Sequence, residues 1–141
     1  MLVRLMYASR ATEAVNHELL SAILRKSTSN NPGIGVTGVL CSSGSIFLQV
    51  LEGGRSQVSA LYNKIAQDPR HRDVVLLSYE EIAERSFAGW AMGQVNMSRL
   101  NPALLLKYSE AAVLDPYAVS GAVSMALFNE LVATASVMCQ T

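Results

Sequence analysis

The stretch GVTGVLCSSGSIFLQVLEGG, residues 35–54, decides the architecture. Two apolar runs, Gly35 to Cys41 and Ser45 to Leu51, flank Ser42-Ser43-Gly44, and that pattern predicts a β-hairpin. Gly53 and Gly54 end its second arm. A helical segment lies on either side. Ala14 to Ser27 places Val15, Leu19, Leu20, Ile23 and Leu24 at helical spacing, with Thr12 as cap and Arg25 and Lys26 in the last turn. Asn30-Asn31-Pro32-Gly33 reads as its break. Gln57 to Gln67 places Val58, Leu61, Tyr62 and Ile65 on one face behind a Ser56 cap, and stops at Asp68-Pro69. Further out, Leu2 to Ser9 reads as a central strand buried on both faces and Val74 to Ile82 as a fourth strand.

The order β-α-β-β-α-β predicts an α+β, ferredoxin-like sandwich with both helices on one face of the sheet. Ala91 to Met97 adds a short fifth strand. The opposite face also carries apolar residues and needs a cover. Residues 101–141 can supply it, as Pro102 to Tyr108 and then Tyr117 to Met138. They carry only four charged side chains, Lys107, Glu110, Asp115 and Glu130, which is too few for a solvated tail. Val119, Val123, Leu127, Leu131 and Val132 alternate there with Gly121, Ala122, Ser124 and Ala126. The expected organisation is therefore residues 1–98 as the βαββαβ domain and 99–141 as a helical cap that also forms contacts in a homo-oligomer.

Composition narrows the function. Of 141 residues 50% are hydrophobic and 16% charged, so a packed core is expected and disorder is not. Eleven basic and eleven acidic residues cancel, which argues against a nucleic-acid partner or a polybasic membrane anchor. MLVRLMYASRAT is no secretory leader, and Asn129 and Glu130 interrupt the most apolar stretch, so no membrane association is expected. Cys41 and Cys139 fit reduced thiols in a cytoplasmic protein.

Catalytic motifs are missing: no H-E-x-x-H, no G-x-S-x-G, no phosphate loop. His17, on a helix, and His71, in the polar turn DPRHRD, have no nucleophile or metal partner at a useful spacing. Glu80, Glu81 and Glu84 read as a solvated strand end. Tyr7 and Gln49 stand out, because each sits inside an apolar strand. Val3, Leu5 and Tyr7 share one strand face, as do Phe47, Gln49 and Leu51. If those faces coincide, a phenol and an amide meet beneath the helices. Two outcomes are open: a simple buried hydrogen bond, or a pair whose spare donors and acceptors receive a polar ligand. Asn30 and Asn31 are likewise either turn residues or part of that site.

These residues resemble a family. L-x-Y-x-S around Tyr7, N-N-x-x-x-G-V-T-G-x-L from Asn30 to Leu40, F-L-Q-x-L-E-G from Phe47 to Gly53, D-P-R-H from Asp68 to His71, and E-R-x-F-x-x-W-x-M from Glu84 to Met92 occur in the order of a BLUF domain, a flavin-based blue-light sensor. The chain from Arg99 onward is similar to the C-terminal helices of short, single-domain members, with no cyclase or phosphodiesterase attached. The resemblance implies noncovalent FAD, with FMN or riboflavin as variants, held between the two helices. It implies that Tyr7 and Gln49 are the photoactive pair. It places Asn31 and Asn30 at the polar edge of the ring, Val36 and Phe47 against the ring, and Trp90 and Met92 in signal output. Gly93 stands where many relatives have a basic residue. A downstream signalling protein is implied as partner.

A flat, largely apolar ring with one polar edge suits a slot between helices with amides at one end. Arg25, Lys26 and Arg72 are candidates to meet cofactor phosphates. The rival readings are an acylphosphatase-like hydrolase, which wants a Gly-rich anion loop where this chain has YASRAT, and a colourless ligand-binding or oligomerising module.

Overall fold

The computed structural model describes residues 1–12, 17–89, 91–96, 100–113, 115–133 and 138–139. The elements are β1 (Leu2–Ala11), α1 (His17–Ile34), β2 (Thr37–Ser43), β3 (Ile46–Gly54), α2 (Arg55–Gln67), β4 (His71–Ile82), β5 (Gly93–Asn96), α3 (Pro102–Leu106), α4 (Gly121–Ala133) and β6 (Met138–Cys139). The sheet order is β4-β1-β3-β2-β5-β6. β1 lies antiparallel to β3 and β4, β2 antiparallel to β3, and β5 parallel to β2. This is the ferredoxin-like α+β arrangement, with β1 and β3 central and strands added beyond β2.

Strand alternation divides the interior into two cores. On the face of α1 and α2 lie Val3, Leu5, Tyr7, Phe47, Leu51, Val58 and Met92. On the other face Met6, Ala8, Val39, Leu48 and Val50 pack with Phe87 and with Leu127, Phe128 and Leu131 of α4. The tail therefore covers the second sheet face, as its composition predicts. Each such large side chain stabilises the fold by about 1.5–3 kcal/mol through removal from water.

Several boundaries differ from the sequence reading. α1 is not broken at Asn30-Asn31-Pro32-Gly33 but runs through them to Ile34. The stop is Gly35, whose φ of 69° reverses the chain. The local preferences of Asn and Gly against helix are weak, the buried Asn31 amide finds the Ala91 carbonyl, and Pro32 costs only one hydrogen bond near the helix end. The expected cap by Thr12 falls on residues 13–16, outside the described set; the Thr12 hydroxyl donates to the Pro69 carbonyl. β2 runs on through Ser42 and Ser43, so the hairpin turn is Gly44-Ser45, with φ 58° at Gly44, and β3 begins at Ile46. β3 runs through Gly53 to Gly54 and passes directly into α2, so Gly54 and not Ser56 is the N-cap.

β4 begins at His71, which takes that residue out of the expected turn. β5 spans only Gly93–Asn96, so Ala91 and Met92 precede it. α3 stops at Leu106. α4 starts at Gly121 and not at Tyr117, because Tyr117 is committed elsewhere: its hydroxyl donates to the Asp73 carbonyl at 2.8 Å and Arg10 lies over its ring. Met138–Cys139 forms a strand against β5 in place of a final helical turn.

Candidate functional site

Tyr7 of β1 and Gln49 of β3 are register partners at the centre of the sheet. Both point to the helix face, where Tyr7 is 1% and Gln49 4% exposed. The Tyr7 hydroxyl donates to Gln49 Oε1. The Gln49 amide nitrogen then donates to Met92 Sδ at 3.3 Å. From the last turn of α1, Asn31 Nδ2 donates to the Ala91 carbonyl at 3.0 Å. The irregular approach to β5 thus supplies one acceptor to each of two buried amides.

Above these groups a cavity of about 570 Å³ opens between α1, α2 and the sheet. Tyr7, Gln49, Asn30 and Asn31 contribute its polar surface, and Ile23, Leu40, Phe47, Leu61 and Ile65 its apolar walls. Lys26, Lys64, Asp68, Arg70 and His71 also line it. A flat, apolar group with a hydrogen-bonding edge fits such a lining. Lys26 and Lys64 offer charge to an anionic extension, while Arg70 is paired with Asp68.

Burial pushes the Tyr7 phenol far above its ordinary range, so the proton stays on the oxygen that faces Gln49. The Arg70 guanidinium hydrogen-bonds Asp68 and holds its carboxyl at about 2, while Arg70 is itself raised. His71 Nδ1 lies 2.8 Å from the buried Ser9 hydroxyl, and its ring lies 5.5 Å from that of Phe47. Burial lowers the His71 pKa, which favours the neutral imidazole.

Of the residues read from the sequence, Tyr7, Gln49, Asn30, Asn31, Phe47 and Lys26 meet at the cavity, and Met92 joins through Gln49. Val36 is buried in the same core but does not line the cavity. Arg25 and Arg72 lie off it: Arg25 donates to the Ser21 carbonyl and Arg72 to Asp73. Trp90 and the side chain of His17 lie outside the described residues. The sequence reading missed Lys64, Asp68, Arg70 and His71. Lys64 could have been found, because it follows Leu61 by three residues on α2. Asp68 to His71 were visible as D-P-R-H but read as a solvated turn. Among the described residues, no cluster of His, Cys, Asp or Glu is placed to hold a metal, and no helix is long and apolar enough to cross a membrane.

Residues 2–93 match the family model described as BLUF, sensors of blue-light using FAD. The photoactivated adenylate cyclase subunit beta of Euglena longa is 41% identical over 92 residues, which cover 64% of this chain and 11% of that protein. The corresponding alpha subunit of Euglena gracilis is 37% identical over 91 residues, 63% of this chain and 9% of that protein. The chain thus spans about a tenth of the length of these curated relatives. Among solved structures, BlsA in its photo-activated state superposes with a TM-score of 0.82 at 33% identity, covering 93% of this chain and 94% of that one. BlrB, a BLUF protein in its dark state, gives 0.80 at 31% identity, covering 95% and 96%.

Proposed function

The chain belongs to the BLUF family of blue-light sensors that use FAD, and from that premise we propose that Tyr7 and Gln49 are its photoswitch. The observation that carries this reading is the continuous chain Tyr7 Oη to Gln49 to Met92 Sδ at the floor of the cavity. When bound, the flavin supplies blue-light absorption and a transient electron acceptor for Tyr7, to which the electron returns.

The protein's part is proton and hydrogen-bond control. Tyr7 holds its proton against Gln49 Oε1, so loss of an electron from the phenol pushes that proton toward the amide. When electron and proton return, Gln49 is left rotated or as the other tautomer. An amide suits the task because its two ends have opposite hydrogen-bonding character. Net energies of about 1 kcal/mol per hydrogen bond can hold such a two-state arrangement. Asn31 and Asn30 orient the polar edge of the ring. Lys26 and Lys64 would meet the diphosphate, with Arg70 beside them on Asp68. Phe47 and Leu40 set the apolar side.

Rearranged Gln49 no longer presents the same donor to Met92, and the change reaches β5 and the C-terminal helices. Residues 1–98 act as the sensor and 99–141 as the output extension, passing the signal to a separate protein. The chain acts as a cytoplasmic homo-oligomer without catalytic turnover of its own; Trp90 and Met92 carry the output. No observation favours the hydrolase reading, since β1 runs on through Ala11 where an anion loop would be needed.

The test is one absorption spectrum before and after blue light. A bound flavin band with a small, reversible red shift is expected. A colourless protein, or a flavin band that light leaves unmoved, refutes the reading.

A further inference from the structure

β4 and β5 stand on opposite sides of the β1-β3-β2 core of the sheet, so the segment from Ala83 to Met92 must cross from one side to the other. It passes the end of the sheet that carries Leu2 and Gly54. Its described residues have no regular backbone pairing, and yet Ala91 O and Met92 Sδ reach the two amides of the site. Its position has to come from side chains.

Three side chains hold it. Glu52 of β3 is fully buried on the tail face, and its carboxylate accepts from the Phe87 amide at 2.7 Å and the Ser86 amide at 3.1 Å. Arg4 of β1 pairs with the same carboxylate at 2.7 Å and also reaches Ser86 Oγ and Glu80. From within the crossing, Arg85 donates to Gly35 O at 2.7 Å, to Thr37 Oγ1 at 3.0 Å and to Glu52 O at 3.4 Å. The crossing is thereby fastened to β1, β3, the start of β2 and the turn after α1.

A buried ion pair contributes little to stability compared with apolar residues of the same volume. Its oriented, charge-assisted hydrogen bonds instead specify where a backbone lies. Resting on the photoswitch reading above, we propose that Glu52 is a positioning residue of the switch: its carboxylate sets the crossing so that Met92 Sδ meets the Gln49 amide and Ala91 O meets Asn31. Glu52 lies on the sheet face opposite the cavity and acts only through Met92 and Ala91. The dark-state orientation of Gln49 therefore depends on a carboxylate that does not approach the flavin site.

The experiment compares wild type, Glu52→Gln, Met92→Ala and the double variant, each as the flavin-loaded full chain. Two quantities are read: amide exchange at Ser86 and Phe87, and the rate at which the dark spectrum returns after blue light. Glu52→Gln is expected to speed exchange at both amides and to change the return rate by about tenfold, the scale of a lost hydrogen bond to a charged group. Adding Glu52→Gln to Met92→Ala should change the return rate much less than in wild type, because the effect passes through Met92. An unchanged return rate in Glu52→Gln overturns the inference. So does an equal effect in both backgrounds. If Glu52→Gln does not fold, Arg85→Gln loosens the same crossing from a half-exposed position and is judged by the same two comparisons. A wild-type protein that shows no light-induced shift overturns the photoswitch reading and this inference with it. A wild type that shifts while the variant returns at the wild-type rate overturns this inference alone.

Discussion

The Gln49 amide nitrogen lies 3.3 Å from the Met92 sulfur, a donor–acceptor contact that joins the centre of the sheet to the residue just before β5. A thioether is a weak acceptor, so the contact is easily exchanged for another. Because Oε1 of the same amide accepts from Tyr7, the two ends of Gln49 are held by different parts of the fold, β1 and the segment that precedes β5.

Tyr7→Phe and Gln49→Leu should each retain flavin and lose the light-induced shift, read by difference absorption. Each single change leaves one buried polar group underpaired, at a cost of about 1–3 kcal/mol in urea unfolding. The double change should cost less than the sum of the two, because it removes both members of the hydrogen bond.

Asn31→Ala removes a side chain that reaches both the cavity and the Ala91 carbonyl. Flavin retention should weaken by roughly tenfold or more, the equivalent of about 1–3 kcal/mol for a lost buried partner. Dialysis against flavin-free buffer checks it. Some light-induced shift should survive, since Tyr7 and Gln49 are intact.

Acid should act in two steps. His71 has a folded pKa below its ordinary 6.5, so its contribution to stability is present above that value and is lost as pH falls through the folded pKa. Asp68 is lowered from 3.8 to about 2, so its contribution is lost as pH falls from about 4 toward about 2. Thermal melts against pH should show both losses, with His71→Gln removing the first and Asp68→Asn the second.

Gly121 opens α4 where a Cβ would lie 2.5 Å from the Leu77 carbonyl of β4. Gly121→Ala should therefore displace α4, costing about 1–3 kcal/mol as overpacking does. Amide exchange in α4 should rise, while the absorption change driven by Tyr7 and Gln49 persists. In the unmodified protein, blue light should alter α4 exchange; identical protection in dark and light would leave the tail as a static cover.

Much of the fold was legible because alternation is local. Val3, Leu5 and Tyr7, and Phe47, Gln49 and Leu51, announce their shared faces by period alone, and the hairpin restricts the register. Tyr7 and Gln49 were visible for the same reason: a polar residue inside an apolar strand contrasts with its neighbours. Asp68, Arg70 and His71 were not, because a polar residue among polar residues carries no such contrast. His71 looked like part of a turn until β4 was seen to begin there.

The sequence by itself determined the order β-α-β-β-α-β and marked Tyr7 and Gln49 as polar residues inside apolar strands, since both follow from short-range periodicity; the sheet register decided that the two meet. Tertiary structure decided where α1 ends, because the helical course through Pro32 and Gly33 sets the buried Asn31 amide on the Ala91 carbonyl, a partner distant in sequence. It also decided the path from Ala83 to Met92. Irregular backbone has no period to read, and its partners, Glu52, Thr37 and Gly35, are distant in sequence. Only the closed sheet brings Glu52 beneath Phe87, and so places Met92 within reach of Gln49.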